Sequence, residues 1–150
     1  MRGEVTLMDQ RTHHVTYLNP EGTCPAQGLY SHVADVRGGR LLFVAGQLAV
    51  GSDGSVVGAG DFRAQFRQVF KNLGDVLTGC GCGFNDIVKF TTYLVHSQDI
   101  PIFMEMRAEM FPKLFKGPLF PPNTLLIVDR LVKEPFLFEV EAVVAPKERD

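Results

Sequence analysis

The sequence predicts an α+β domain in the order βββαβαββ: one six-stranded, mainly antiparallel mixed sheet with two helices packed on a single face. Three observations carry this prediction. Apolar residues recur at helical spacing from Phe62 to Cys80. They recur at strand spacing from Asp86 to His96, and they form two short runs near the end, Thr124 to Val128 and Phe136 to Val144. Glycine and proline clusters separate these segments. A chain of 150 residues, 45% hydrophobic and 21% charged, has the size and make-up of one ordinary domain.

Residues 1–27 are polar, contain Pro20, Gly22 and Pro25, and read as an N-terminal arm with one short strand near Val15 to Leu18. Residues 28–146 form the domain and 147–150 a tail. His32 to Val36 and Arg40 to Gln47 flank Gly38-Gly39, the pattern of a β-hairpin. Leu41 to Ala45 are apolar on both faces, which predicts an interior strand. Gly46 follows, and a missing side chain there lets a ligand or another backbone come close.

Gly58 and Gly60 precede a helix start, but their spacing fits neither the dinucleotide fingerprint nor the Walker pattern. Asp61 reads as the N-cap. Phe62, Phe66, Val69, Phe70, Leu73, Val76, Leu77 and Cys80 then form one helical stripe, ended by Gly79, Gly81 and Gly83. The next strand puts Val88, Phe90, Thr92 and Leu94 on one face and Lys89, Thr91, Tyr93 and Val95 on the other. A second helix starts between Ser97 and Pro101 and turns Phe103, Met106, Met110 and Phe111 inward until Pro112 breaks or kinks it. Arg107 falls on its polar face.

The two final runs read as paired strands. In the second, Phe136, Phe138, Val140, Ala142 and Val144 share one face, while Leu137, Glu139, Glu141 and Val143 share the other. Glu139 and Glu141 stand about 6.6 Å apart along such a strand. Two helices cover one face of the sheet only. The other, with Tyr93, Leu137 and Val143 beside Lys89, Glu139 and Glu141, is apolar enough to need a cover, and a symmetric homo-oligomer supplies one.

A net charge of −2 without a basic block argues against nucleic-acid and membrane-surface binding. The first ten residues hold no apolar signal core and no run reaches a bilayer span, so a cytoplasmic protein is expected. Cys24, Cys80 and Cys82 are an odd set without C-x-x-C spacing, and the four histidines suggest no ligand set, so no metal is expected.

Five segments in order resemble the Rid/YjgF family of reactive-intermediate deaminases. They are Gly28-Leu29-Tyr30-Ser31-His32; Phe43-Val44-Ala45-Gly46-Gln47; Ala64-Gln65 with Val69-Phe70-Lys71-Asn72-Leu73; Asp86-Ile87-Val88-Lys89-Phe90-Thr91; and Phe138-Glu139-Val140-Glu141-Ala142. The resemblance spans about Gly28 to Ala145. It implies a chorismate-mutase-like fold, a homotrimer with small-molecule clefts between subunits, and hydrolysis of imines or enamines without metal or organic cofactor. By position, Glu139 resembles the glutamate that orients water, Tyr30 the cleft tyrosine, and the Gly46 backbone a cleft wall.

One departure matters. Where active members carry an arginine that clamps the substrate carboxylate, this chain has Asn123, followed by Thr124 and Leu125. The family's cleft asparagine and cysteine are replaced near Met104 and at Leu125, and Arg107 is a possible substitute cation. Two readings stay open: a deaminase-like hydrolase with a non-standard small-molecule substrate, and a trimer that binds a metabolite or stabilises a partner without turnover.

Overall fold

The computed structural model describes residues 14–148; the first part of the predicted arm and the last two residues lie outside the described residues. Six strands and two long helices follow the predicted order: β1 (Val15–Leu18), β2 (Val33–Val36), β3 (Leu42–Gln47), α1 (Phe62–Gly79), β4 (Ile87–Leu94), α2 (Ile100–Leu114), β5 (Asn123–Ile127) and β6 (Phe138–Val144). Short 3-10 turns at Phe84–Asp86 and Ser97–Asp99 introduce β4 and α2.

The strands form two sheets rather than one. β3, β6, β4 and β5 lie side by side in that order, and β1 pairs with β2 in a separate ribbon. The predicted β2–β3 hairpin therefore does not form. β2 bonds to β1 from Val15 opposite Val36 to Leu18 opposite Val33, and β3 gives its ladder to β6. β3 is thus an edge strand, not an interior one, and Phe43 on it is 78% exposed.

Nor do the last two runs pair with each other. β4 leads through α2 into β5, a crossover that lays β5 parallel to β4, with Phe90 opposite Asn123 and Leu94 opposite Ile127. The chain then returns past residues 128–137 and inserts β6 antiparallel between β4 and β3. β6 is consequently the central strand with two long antiparallel neighbours, which explains its strict alternation of buried and half-buried residues.

α1 begins where expected. Asp61 adopts extended backbone, and its Oδ1 accepts the Ala64 N–H at 3.1 Å. Phe62, Phe66, Val69, Phe70, Leu73 and Leu77 are buried. Cys80, read as the end of that stripe, is exposed because the helix stops at Gly79. α2 runs through Pro112 to Leu114, since a proline this near the C-terminal end removes little of the ladder.

The core is a phenylalanine cluster between helices and sheet. Phe138 stacks on Phe66 with ring centroids 5.2 Å apart and packs against Phe62 at 5.3 Å and Phe103 at 5.9 Å. At residues 14–18 the chain lies against the sheet's end: Tyr17 Oη donates to the Ile87 carbonyl at 2.6 Å, and His14 Nε2 donates to the Ala145 carbonyl while sitting 3.1 Å from Asp86. Among the described residues no helix is long and apolar enough to cross a membrane.

Candidate functional site

β6 directs Glu139, Glu141 and Val143 to the sheet face that the helices leave open, while Phe138, Val140, Ala142 and Val144 enter the core. Across the ladder Glu139 faces Tyr93 and Glu141 faces Thr91. A β-bulge interrupts the β3–β6 register between Val44 and Gln47, and Gly46 sits in it. The Glu139 side chain fills the space a Cβ at position 46 would take, so glycine is required there if the carboxylate is to lie against the β3 backbone.

Burial, and then the negative charge of Glu141, push the Glu139 carboxyl above the ordinary glutamate range. Glu141 has a donor of its own: Tyr93 Oη at 2.6 Å. That hydrogen bond, with burial second, raises the Tyr93 phenol. Glu139 and Glu141 are therefore not equivalent. Glu141 accepts the tyrosine hydroxyl, and Glu139 lies against the β3 backbone with its proton affinity raised. Beside them, Phe43, Val44, Lys89, Thr91, Glu141 and Val143 line a depression of about 200 Å³.

Arg107 stands elsewhere and differs from expectation. Instead of lying on a polar face of α2 it is 3% exposed, with its Cζ 4.9 Å from the Phe103 ring centroid and 6.0 Å from that of Tyr30. The loop before β2 lies against this part of α2, with the Gly28 backbone close to Arg107 Nη2 and the Met104 methyl. Desolvation makes the guanidinium easier to deprotonate than usual. Tyr30 reaches the same place from the loop, its Oη accepting the Gln27 N–H at 3.1 Å and its ring meeting His32 edge-on.

Asn123 opens β5. Its Oδ1 accepts a hydrogen bond from the buried Thr92 hydroxyl at 2.7 Å. The ladder puts Asn123 beside Phe90 and Leu125 beside Thr92, on the helix-covered side, whereas Thr124 lies beside Thr91 on the open face. Within one chain, then, three groups form: Glu139 with Gly46, Arg107 with Tyr30, and Asn123 to Leu125 at the start of β5. The first lies on the opposite side of the sheet from Arg107 and Asn123. A single chain does not unite them.

Two features escaped sequence reasoning. Tyr93 was placed on the right face, but nothing in the sequence showed that it bonds Glu141. A larger cavity of about 690 Å³, lined by His14, Tyr17, Cys82, Asp86, Lys116 and Lys147 among others, contains none of the expected site residues. Its larger size does not make it the better site, because His14 and Asp86 are already tied to each other and to backbone. No group of three or more histidine, cysteine, aspartate or glutamate residues able to hold a metal ion occurs among the described residues.

A family model described as Endoribonuclease L-PSP matches residues 22–146. A RutC family protein of Pyrococcus horikoshii is 34% identical over 116 residues, covering 77% of this chain and 86% of the relative. The chain belongs to the Rid/YjgF family. The solved structure of the Rid family protein YyfB from Yersinia pestis matches 89% of this chain and 99% of its own, with a TM-score of 0.78 at 31% identity. The mouse 2-iminobutanoate/2-iminopropanoate deaminase is 30% identical over 94 residues, 63% of this Rid chain and 65% of the mouse protein.

Proposed function

We propose that this Rid protein is a hydrolytic deaminase of a small imine or enamine, acting without cofactor in clefts between the subunits of a homotrimer. Glu139 carries the reading. It is a carboxylate on the open sheet face, given room by Gly46 and held above the ordinary glutamate range by burial and by Glu141. Such a group suits the task, because a base works best when its proton affinity approaches the operating pH.

The reaction needs little else. Tautomerisation turns an enamine into an imine, and the imine carbon is already an electrophile. Glu139 takes a proton from water as the water oxygen bonds to that carbon, and returns it to the imine nitrogen to give an aminoalcohol. Glu139 then moves the hydroxyl proton to the nitrogen as the C–N bond breaks, so that ammonia leaves and a ketone remains. Tyr30 and the Gly46 backbone serve as cleft walls. Relatives named for 2-iminobutanoate and 2-iminopropanoate support the reaction class.

The substrate is non-standard in this reading, because Asn123 bears no charge and its Oδ1 is already bonded to Thr92. That same bond favours the second reading, a trimer that binds a metabolite without turnover. An assay that generates 2-aminoacrylate in situ and follows pyruvate release separates the two. Turnover by the wild type that falls at least a hundredfold in Glu139→Ala is the expected result. Release no faster than in buffer, appearing only in Asn123→Arg, would sink ordinary deaminase activity for the native chain.

A further inference from the structure

We infer that Arg107 is the anchor of a carboxylate-binding subsite, closed on one side by the loop Gly28 to Ser31. The observation is a buried cation without a counter-charge. Arg107 is 3% exposed and forms no ion pair among the described residues, unlike Arg63 and Arg130, which meet Glu105 and Glu134 at the surface. Among the described residues its one hydrogen-bond acceptor is the thioether of Met104, 3.1 Å from Nη2. A guanidinium has five N–H donors, and a thioether is a weak acceptor for one of them.

Burying an arginine in this way is costly, because among the described residues no carboxylate or carbonyl replaces the water it has lost. Two aromatic faces, Phe103 and Tyr30, offset part of that cost. A bound anion would offset the rest, and in a site this dry a guanidinium pairs strongly with a planar carboxylate.

The surroundings are built for close approach. A Cβ at Gly28 would collide with Arg107 Nη2 and with the Met104 methyl, so the loop backbone comes down onto the guanidinium only because residue 28 is glycine. One residue beyond Tyr30, Ser31 is 0% exposed, and its hydroxyl is without a hydrogen-bond partner. An unsatisfied hydroxyl therefore sits one residue from the ring that covers the unpaired cation. Positive charge absent at position 123 is thus present on α2, on the same side of the sheet. That the carboxylate belongs to the substrate rests on the deaminase reading; the subsite itself does not.

The test measures binding and no turnover, so its failure leaves the deaminase reading standing. Pyruvate and acetate are titrated at fixed ionic strength against the full chain, following the Arg107 Nε–H resonance by NMR and the Tm. A saturable shift of that resonance with a rise in Tm is expected. The apparent Kd should be at least tenfold weaker in Arg107→Met, which keeps the length and apolar contacts without the charge, and partly restored in Arg107→Lys. A resonance that does not move, or a Tm rise equal in wild type and Arg107→Met, overturns the subsite. Equal responses to chloride overturn its assignment to carboxylate.

Discussion

Glu139 and Glu141 are two residues apart on one strand, yet the structure gives them different chemistry. Tyr93 bonds Glu141, and Gly46 makes room for Glu139. A carboxyl whose folded value is raised is harder to ionise in the fold than in the unfolded chain. Its contribution to stability is present below the ordinary value and is lost as pH rises through the raised one. If Glu139 is the base, activity rises with pH through that same raised value. Glu141→Gln removes the neighbouring charge, the second cause of the shift, so the acidic limb of the kcat/KM profile should move to lower pH. Burial, the larger cause, remains, so the limb should stay above the ordinary glutamate range. A limb that does not move would mean another group controls it. The alternation of β6 made both carboxylates legible in the sequence. Their inequality was not, because it comes from a tyrosine on β4 and a glycine on β3.

At the scale of elements, Gln65 shows how a helix and a distant loop are joined. It is fully buried on α1, where sequence periodicity marked only its apolar neighbours. Its Nε2 donates to the carbonyls of Gly58 at 3.1 Å and Pro135 at 2.8 Å, and its Oε1 accepts the Leu137 N–H at 2.8 Å. One side chain thus clamps the entry to α1 and the entry to β6. Gln65→Leu would leave those backbone groups without partners, and a stability loss of about 3 kcal/mol is expected, summed from buried unsatisfied groups. Urea unfolding should show a lower midpoint at unchanged slope. A change below about 0.5 kcal/mol, the range of ordinary surface substitutions, would show that the clamp is not needed. Strand pairing belongs to this scale too. The predicted β2–β3 and β5–β6 pairs were neighbours in sequence, but β2 pairs with β1, β5 lies parallel to β4, and β6 inserts between β4 and β3.

At the scale of the whole molecule, the open face of the sheet remains to be covered. Phe43 is 78% exposed on the edge strand, beside Val143 of β6, and Leu126 is 42% exposed on β5. An apolar face of this kind on a small domain marks an interface. The homotrimer proposed above covers it with sheet faces of other copies. Phe43→Asp should then shift sedimentation to a single-subunit species while far-UV dichroism stays native. Unchanged sedimentation would place the interface elsewhere.

Periodicity alone determined the elements of this protein and the faces of β4 and β6, because side-chain alternation and helical spacing are local properties of the backbone. The resemblance to the Rid/YjgF family, not periodicity, singled out Glu139 and Asn123 as candidate site positions. Tertiary structure decided what surrounds them. It tied Asn123 to Thr92, set Glu139 against Gly46, and turned Arg107 from a presumed surface residue into a buried cation between Phe103 and Tyr30. Burial and charge pairing depend on residues far apart in the chain, and no local pattern records them.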